Sequence, residues 1–178
     1  MPSKPGALLD PAAAAAFIDG YKRFLLTVPG GGRADEGSGL KILVDSRDRI
    51  AKKPELLRGL LAQAASAMPD LDGPVLQAIG SLRVANWMYL KETRSYAVFL
   101  DPSGDSALGV RALTQRIRDI VGTSGVLLET GIVRYCGHYV CDGLVSGVVH
   151  LGENYLQSCT SAYRELRTRG RFEVKYRP

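Results

Sequence analysis

An α+β fold is what this sequence predicts: an antiparallel sheet of about five to six strands with helices packed on one face, and a mainly helical N-terminal part. Three observations carry that expectation. Apolar residues recur at helical spacing through residues 11–28 and 55–68. The texture changes after Leu82 to β-branched and aromatic runs separated by polar turns. A last helical stripe then ends at Gly170, followed by a strand-like tail. With 178 residues the chain can bury a core without disulfides or metal, so residues 1–178 are read as a single domain.

Asp10-Pro11 reads as an N-cap followed by proline at the first helical position, and the alanines after it favour helix. Phe17, Ile18, Tyr21, Leu25 and Val28 supply the apolar stripe over 11–28. Residues 29–39 are rich in glycine and charge, which predicts a flexible surface loop. No lysine followed by Ser or Thr comes after these glycines, so they do not form a phosphate-binding P-loop. Leu40, Ile42, Leu43 and Val44 fit a short strand and the first turns of a helix equally well. Over residues 55–68, Leu56, Leu57, Leu60, Leu61 and Ala64 share one side, with Pro54 at the entry and Pro69 at the end.

Residues 83–91, 96–101 and 107–112 read as a three-stranded meander joined by polar connections of hairpin length. Within the first of these runs Trp87, between Val84 and Leu90, is expected to be buried. Leu113, Ile117, Ile120 and Val121 predict a short helix over 114–121, closed by Gly122. Residues 126–135 and 139–149 are strand-like, and both Cys136-Gly137 and Asp142-Gly143 resemble tight-turn pairs. The last helix, from about 153 to 170, carries Leu156, Cys159, Tyr163 and Leu166 on one stripe; residues 172–176 return as a final strand.

Hydrophobic residues at 46% and charged residues at 23% exclude a disordered or fibrous chain. No apolar run is long enough to span a bilayer. The first residues lack a secretory signal and the three cysteines are an odd number, so the expected location is the cytoplasm and membrane insertion is not expected.

The net charge of +5 is unevenly spread: Arg164, Arg167, Arg169, Arg171, Lys175 and Arg177 face only Glu165 and Glu173. Helix-terminal cations are expected from the helix dipole alone, but this surplus continues past the helix. Tyr176 interleaves an aromatic suited to stacking on a base. These seven residues, Glu165 and Glu173 apart, are the candidate contact surface for an acidic macromolecule, either nucleic acid or protein. Arg47, Arg49 and Arg58 read as ordinary surface cations outside that cluster.

Every cysteine and histidine falls between residues 136 and 159: Cys136, His138, Cys141, His150 and Cys159. Such residues suit zinc, yet the Cys-x-His-x2-Cys spacing is not that of paired knuckles, and alternation along a strand turns Cys141 away from Cys136 and His138. No cofactor is therefore expected, with zinc on Cys136, His138, Cys141 and His150 as the alternative. A cysteine nucleophile activated by His138 or His150 lacks any surrounding signature, and Asp45, Asp101, Glu129 and Asp142 are scattered acids with ordinary turn or surface roles. The reading is a small intracellular regulatory or accessory binding protein rather than an enzyme. The alternative is a hydrolase or nuclease built on the 136–159 cluster or on the strand-end carboxylates.

Overall fold

The computed structural model describes residues 6–30 and 39–176. Asp10 caps the first helix as its side chain implies, its Oδ1 accepting from the Ala12 and Ala13 amides at 3.0 and 3.2 Å, and α1 runs Pro11–Leu25. Most of the expected glycine-rich loop lies outside the described residues. The ambiguous run at 40–44 is helical, within α2 (Gly39–Lys52). α3 spans Pro54–Ala67, and α4, a short helix that the sequence reading did not identify, spans Gly73–Gly80. Gly20 is what lets α1 and α4 approach: a Cβ there would stand 2.6 Å from Leu71 Cδ1 and 2.9 Å from Val75 Cγ1.

The strands are β1 (Arg83–Glu92), β2 (Ala97–Leu100), β3 (Ala107–Arg111), β4 (Val126–Tyr135), β5 (His138–His150) and β6 (Phe172–Glu173). The short helix α5 (Ile117–Val121) separates β3 from β4, and α6 (Glu153–Thr168) separates β5 from β6. The expected meander is present, since β2 pairs antiparallel with both β1 and β3. The sheet is nevertheless mixed rather than antiparallel throughout, because β3 runs parallel to both β5 and β6. Long connections through α5 and α6 make those parallel pairings possible. With β1–β4 and β4–β5 antiparallel, the pairings of β1, β2, β3, β5 and β4 close into a ring.

Strand alternation sorts side chains to the two sides of this ring. Trp87, Tyr89, Phe99, Val110, Leu128, Ile132, Tyr139 and Cys141 form the interior, with Ile117 of α5 packed among them. Trp87 has no exposed surface and its indole donates to the Thr130 carbonyl at 3.2 Å, as the strand reading expected of it. On the outside there are two helical covers rather than one. Phe17, Tyr21, Phe24, Ile50, Val75 and Ile79 of the N-terminal helices pack on Val133, Tyr135, Val140 and Leu144. Tyr163 and Leu166 of α6 pack on Met88, Leu90, Val98, Leu100 and Ala107.

Asp142-Gly143 is not a turn but part of a bulge inside β5. Residues 142–144 lie between the pairs Ile132↔Cys141 and Thr130↔Val145, opposite Gly131 alone, and Gly143 takes the left-handed conformation at φ 79°. Asp142, next to the inward Cys141, faces the helices, where it meets Arg47, and the bulge frees the Leu144 amide to meet its carboxylate. Both side chains have no exposed surface, and Arg47 Nη1 stands 3.7 Å from Asp142 Oδ2. Arg47, read from the sequence as a surface cation, is thus wholly buried. Its Nη1 also donates to the Leu144 carbonyl, its Nη2 to Ser146 Oγ at 3.0 Å, and its Nε to Asp48 Oδ1 at 2.9 Å. Asp142 accepts from the Tyr21 hydroxyl (3.2 Å), the Gly131 amide (3.3 Å) and the Leu144 amide (3.0 Å), with the Thr130 hydroxyl 3.2 Å away. Gly131 is required here, since a Cβ would lie 2.2 Å from Asp142 Oδ2.

Burial pushes the Asp142 carboxyl up to about 6, against the opposing pull of Arg47 and the amide donors. Because this folded value lies above the unfolded one of about 3.9, the group's contribution to stability is fully present below pH ~4 and is lost as pH rises through about 6. Replacing Arg47 by methionine removes the cation and leaves a carboxylate buried without its counter-ion. The variant should lose about 3–5 kcal/mol at pH 8 in urea denaturation. It should recover part of that loss between pH 8 and 5, as Asp142 takes up a proton, to a greater degree than the wild type gains. A loss under 1 kcal/mol, or a deficit independent of pH, would contradict this account of the pair.

Candidate functional site

Tyr135 and His138 pair across a two-residue turn in which Cys136 and Gly137 both have positive φ, 50° and 74°. Two consecutive left-handed residues are what a type I′ hairpin turn demands, and the Cys136-Gly137 expectation holds. The chain after β6 laces onto this turn: the Tyr176 amide donates to the Gly137 carbonyl at 3.1 Å, and Lys175 bridges to His138. The basic C-terminal stretch is therefore fastened to the β4–β5 hairpin at one end of the ring.

Arg164 and Arg167 of α6 and Arg169, its C-cap, are exposed, and Arg167 hydrogen-bonds Tyr163 one turn earlier. Arg171 and Lys175 are also exposed, while Arg177 lies outside the described residues. Among these five described cations, only Arg169 has a carboxylate partner, Glu165 one turn earlier at 3.5 Å. Tyr176 is half-buried, and its ring is already engaged. The Arg134 guanidinium lies 4.7 Å from its centroid, and Tyr139 meets it edge-on at 6.5 Å. Arg134 covers a ring face that base stacking would use, and it adds a further exposed cation to the region that the sequence reading did not single out.

Beside this lacing, a cavity of about 240 Å³ opens with Trp87 and Leu108 deep in its lining and Arg83, Arg134, Tyr139 and Glu173 around them. Arg83 lies 4.9 Å over the Trp87 ring and is paired with Asp101, and the Tyr139 hydroxyl donates to Glu173. Burial, and then the Glu173 carboxylate, push that phenol up to about 12, so it remains a donor at neutral pH. His138 adjoins the same region on the outer side of the ring. Desolvation first, then Arg111 and Lys175, hold its imidazole below the ordinary histidine value.

The cysteines and histidines do not converge. Cys136 is exposed at the turn, Cys141 points into the ring interior, and Cys159 is half-buried on the apolar side of α6. His150 pairs with Val126 at the opposite end of the hairpin from His138, roughly 40 Å away along an extended strand. Among the described residues no group of three or more His, Cys, Asp or Glu side chains is placed to hold a metal ion. The four carboxylates are equally dispersed, each with its own partner: Asp45 with Lys41, Asp101 with Arg83, Glu129 with the Ser146 hydroxyl, and Asp142 with Arg47. No helix among the described residues is long and apolar enough to cross a membrane.

The thiols differ in a way that modification kinetics will report. Cys136 should react with a disulfide reagent within seconds to minutes in the native protein, because it is exposed. Cys159, half-buried with its thiol pushed up by burial, should follow more slowly. Cys141, pushed up to about 11 by desolvation and then by Asp142, should react only on unfolding. Native-state labelling of Cys141 at a rate near that of Cys136 would show that the ring opens. Comparison with known proteins adds no likeness to this geometry: no family model matches the chain, and neither the curated proteins nor the solved structures contain a significant match.

Proposed function

We propose that the protein is a small accessory or regulatory binding module, not an enzyme, whose C-terminal basic face contacts an acidic macromolecule, nucleic acid foremost. The observation that carries this reading is the set of exposed cations without carboxylate partners: Arg164, Arg167, Arg171 and Lys175. Cations in the last turn of a helix offset its dipole, which accounts for Arg167. It does not account for Arg164 one turn earlier, nor for Arg171 and Lys175 beyond the helix end. Arg134 extends the same surface across the hairpin. Long-range attraction to phosphates or to an acidic protein face is the service such a surface performs, and it requires no reacting group.

Arg177 belongs to this proposed surface by sequence, whereas Tyr176 acts in it by holding Arg134 in place and not by stacking on a base. Affinity for a generic oligonucleotide, read by fluorescence anisotropy, should fall steeply between 50 and 200 mM salt, since each neutralised phosphate releases condensed counter-ion. Reversing Arg167, Arg169 and Arg171 together to glutamate should weaken binding about tenfold or more across sequences, with the far-UV spectrum unchanged. A control must avoid Arg47, whose reversal would bury a charge against Asp142. Reversal of Lys52, Lys53 and Arg58, all exposed and remote in sequence from the C-terminal face, serves instead. Equal losses in both variants would assign the binding to net charge alone, and no binding at 50 mM salt would end the nucleic-acid reading.

A further inference from the structure

Arg111 is the last residue of β3 and pairs in parallel register with Val140 of β5. Val110 beside it points into the ring and His138 precedes the inward Tyr139, so Arg111 and His138 lie on the outer side of adjacent strands. Lys175 reaches the same place through its bridge to His138. Three nitrogen-bearing side chains thus meet on one small patch of the outer surface.

None of the three has an acidic partner, although Lys175 is exposed to water and the Val174 main chain hydrogen-bonds the His138 imidazole. Arg111 is half-buried and forms no ion pair or hydrogen bond, and burial alone acts on its guanidinium, with no carboxylate to oppose it. Lys175 has no carboxylate within ion-pair distance, since Glu173 close by accepts from Tyr139. His138 Nδ1 is buried without a partner. A half-buried guanidinium and a buried ring nitrogen are ordinarily paired, because each loses water on folding and recovers nothing in exchange. Arg47 in this same protein, with an acid and further acceptors, shows what a satisfied arginine looks like.

We infer that Arg111, His138 and Lys175 form an oxyanion site that takes a single phosphate group. The guanidinium supplies a planar fork of donors and the ammonium a point charge, and the imidazole beside them senses the charge that they gather. A phosphate offers several acceptor oxygens to this set, whereas a carboxylate offers two. The inference rests on the binding-module reading and gives it an anchor: one phosphate of the acidic partner seats here, while the α6 arginines supply unspecific attraction.

The test uses the chain's two histidines, His138 and His150, as internal reporter and reference. Inorganic phosphate titrated into the full-length protein at constant ionic strength should move the His138 imidazole nitrogens in a saturable way and leave those of His150 in place. Arg111→Gln should weaken that saturation about tenfold or more, Arg111→Lys should restore part of it, and acetate at the same concentration should bind more weakly. Should Arg111→Gln fail to fold, Lys175→Gln makes the same comparison. Oligonucleotides with and without a terminal phosphate tell a monoester from a backbone diester as the natural source. An unmoved His138 at tens of millimolar phosphate, or equal shifts of both imidazoles unaffected by Arg111→Gln, overturns the site. If phosphate leaves His138 untouched while the α6 reversal still abolishes oligonucleotide binding, the site falls and the basic-face reading stands. A saturable His138 shift without oligonucleotide binding has the opposite meaning.

Discussion

The guanidinium of Arg47 has no exposed surface, and the way its cost is met organises the molecule. An isolated buried charge would be strongly destabilising, so the sequence must bring an acid and several acceptors to the same point. Asp142 supplies the charge from β5, Leu144 and Ser146 supply acceptors from the same strand, and Asp48 holds Nε from the same helix. Tyr21 adds α1 to the set by donating to Asp142. One polar cluster thereby joins two helices to a strand across an otherwise apolar interface. Apolar contacts tolerate sliding, whereas this cluster accepts one register of α2 on β5.

That register depends on a local irregularity of the sheet. Without the bulge at residues 142–144, alternation would send Asp142 to the same side as Leu144 but leave no amide free to meet its carboxylate. The bulge releases the Leu144 amide toward Oδ1, and the bare Gly131 opposite leaves room for Oδ2. Ring closure follows a similar logic. Beyond the bulge the first residues of β5 reach β3, and only Val110 and Arg111 pair with Tyr139 and Val140. A short parallel contact between two strands in a mixed sheet is enough to enclose the interior around Trp87 and Tyr89 because α5 places Ile117 among those side chains.

Most of the elements were legible in the sequence because each is written in a local period. The Asp10-Pro11 cap, the Leu-rich stripe of α3, the β-branched runs of β4 and β5 and the terminating Gly170 all act over a few residues. Pairing was less legible. Antiparallel neighbours follow from short turns, but the parallel contacts of β3 with β5 and β6 depend on where α5 and α6 return the chain, which no local pattern encodes. Arg47 was misread for a related reason: arginine at a helix position signals solvent unless its partner is known, and the partner is 95 residues away in the sequence. Asp-Gly likewise signals a turn, and only the length of the strand on both sides turns it into a bulge. For the candidate site, the cations of the C-terminal stretch were visible as composition. Their exposure was not, nor was the addition of Arg134 and Arg111, since both of these come from other strands.

Arg47 and Arg111 pose the same physical problem with different answers. Both guanidinium groups lose solvent, one entirely and one in part. The fold spends a bulge, a bare glycine and a tyrosine hydroxyl on the first. Around the second it places another cation and a histidine whose buried nitrogen has no partner. A fold that satisfies one arginine so fully leaves the other without an acid. Glu173, two residues before Lys175 in the chain, accepts from Tyr139. Repulsion between Arg111 and Lys175, which also keeps the His138 imidazole from charging, lowers stability unless a negative group from outside relieves it. Free energy left unrecovered in the isolated chain is available on binding, which is why the unpaired, half-buried Arg111 guanidinium marks a recognition surface more sharply than the exposed arginines of α6, whose charges water already solvates.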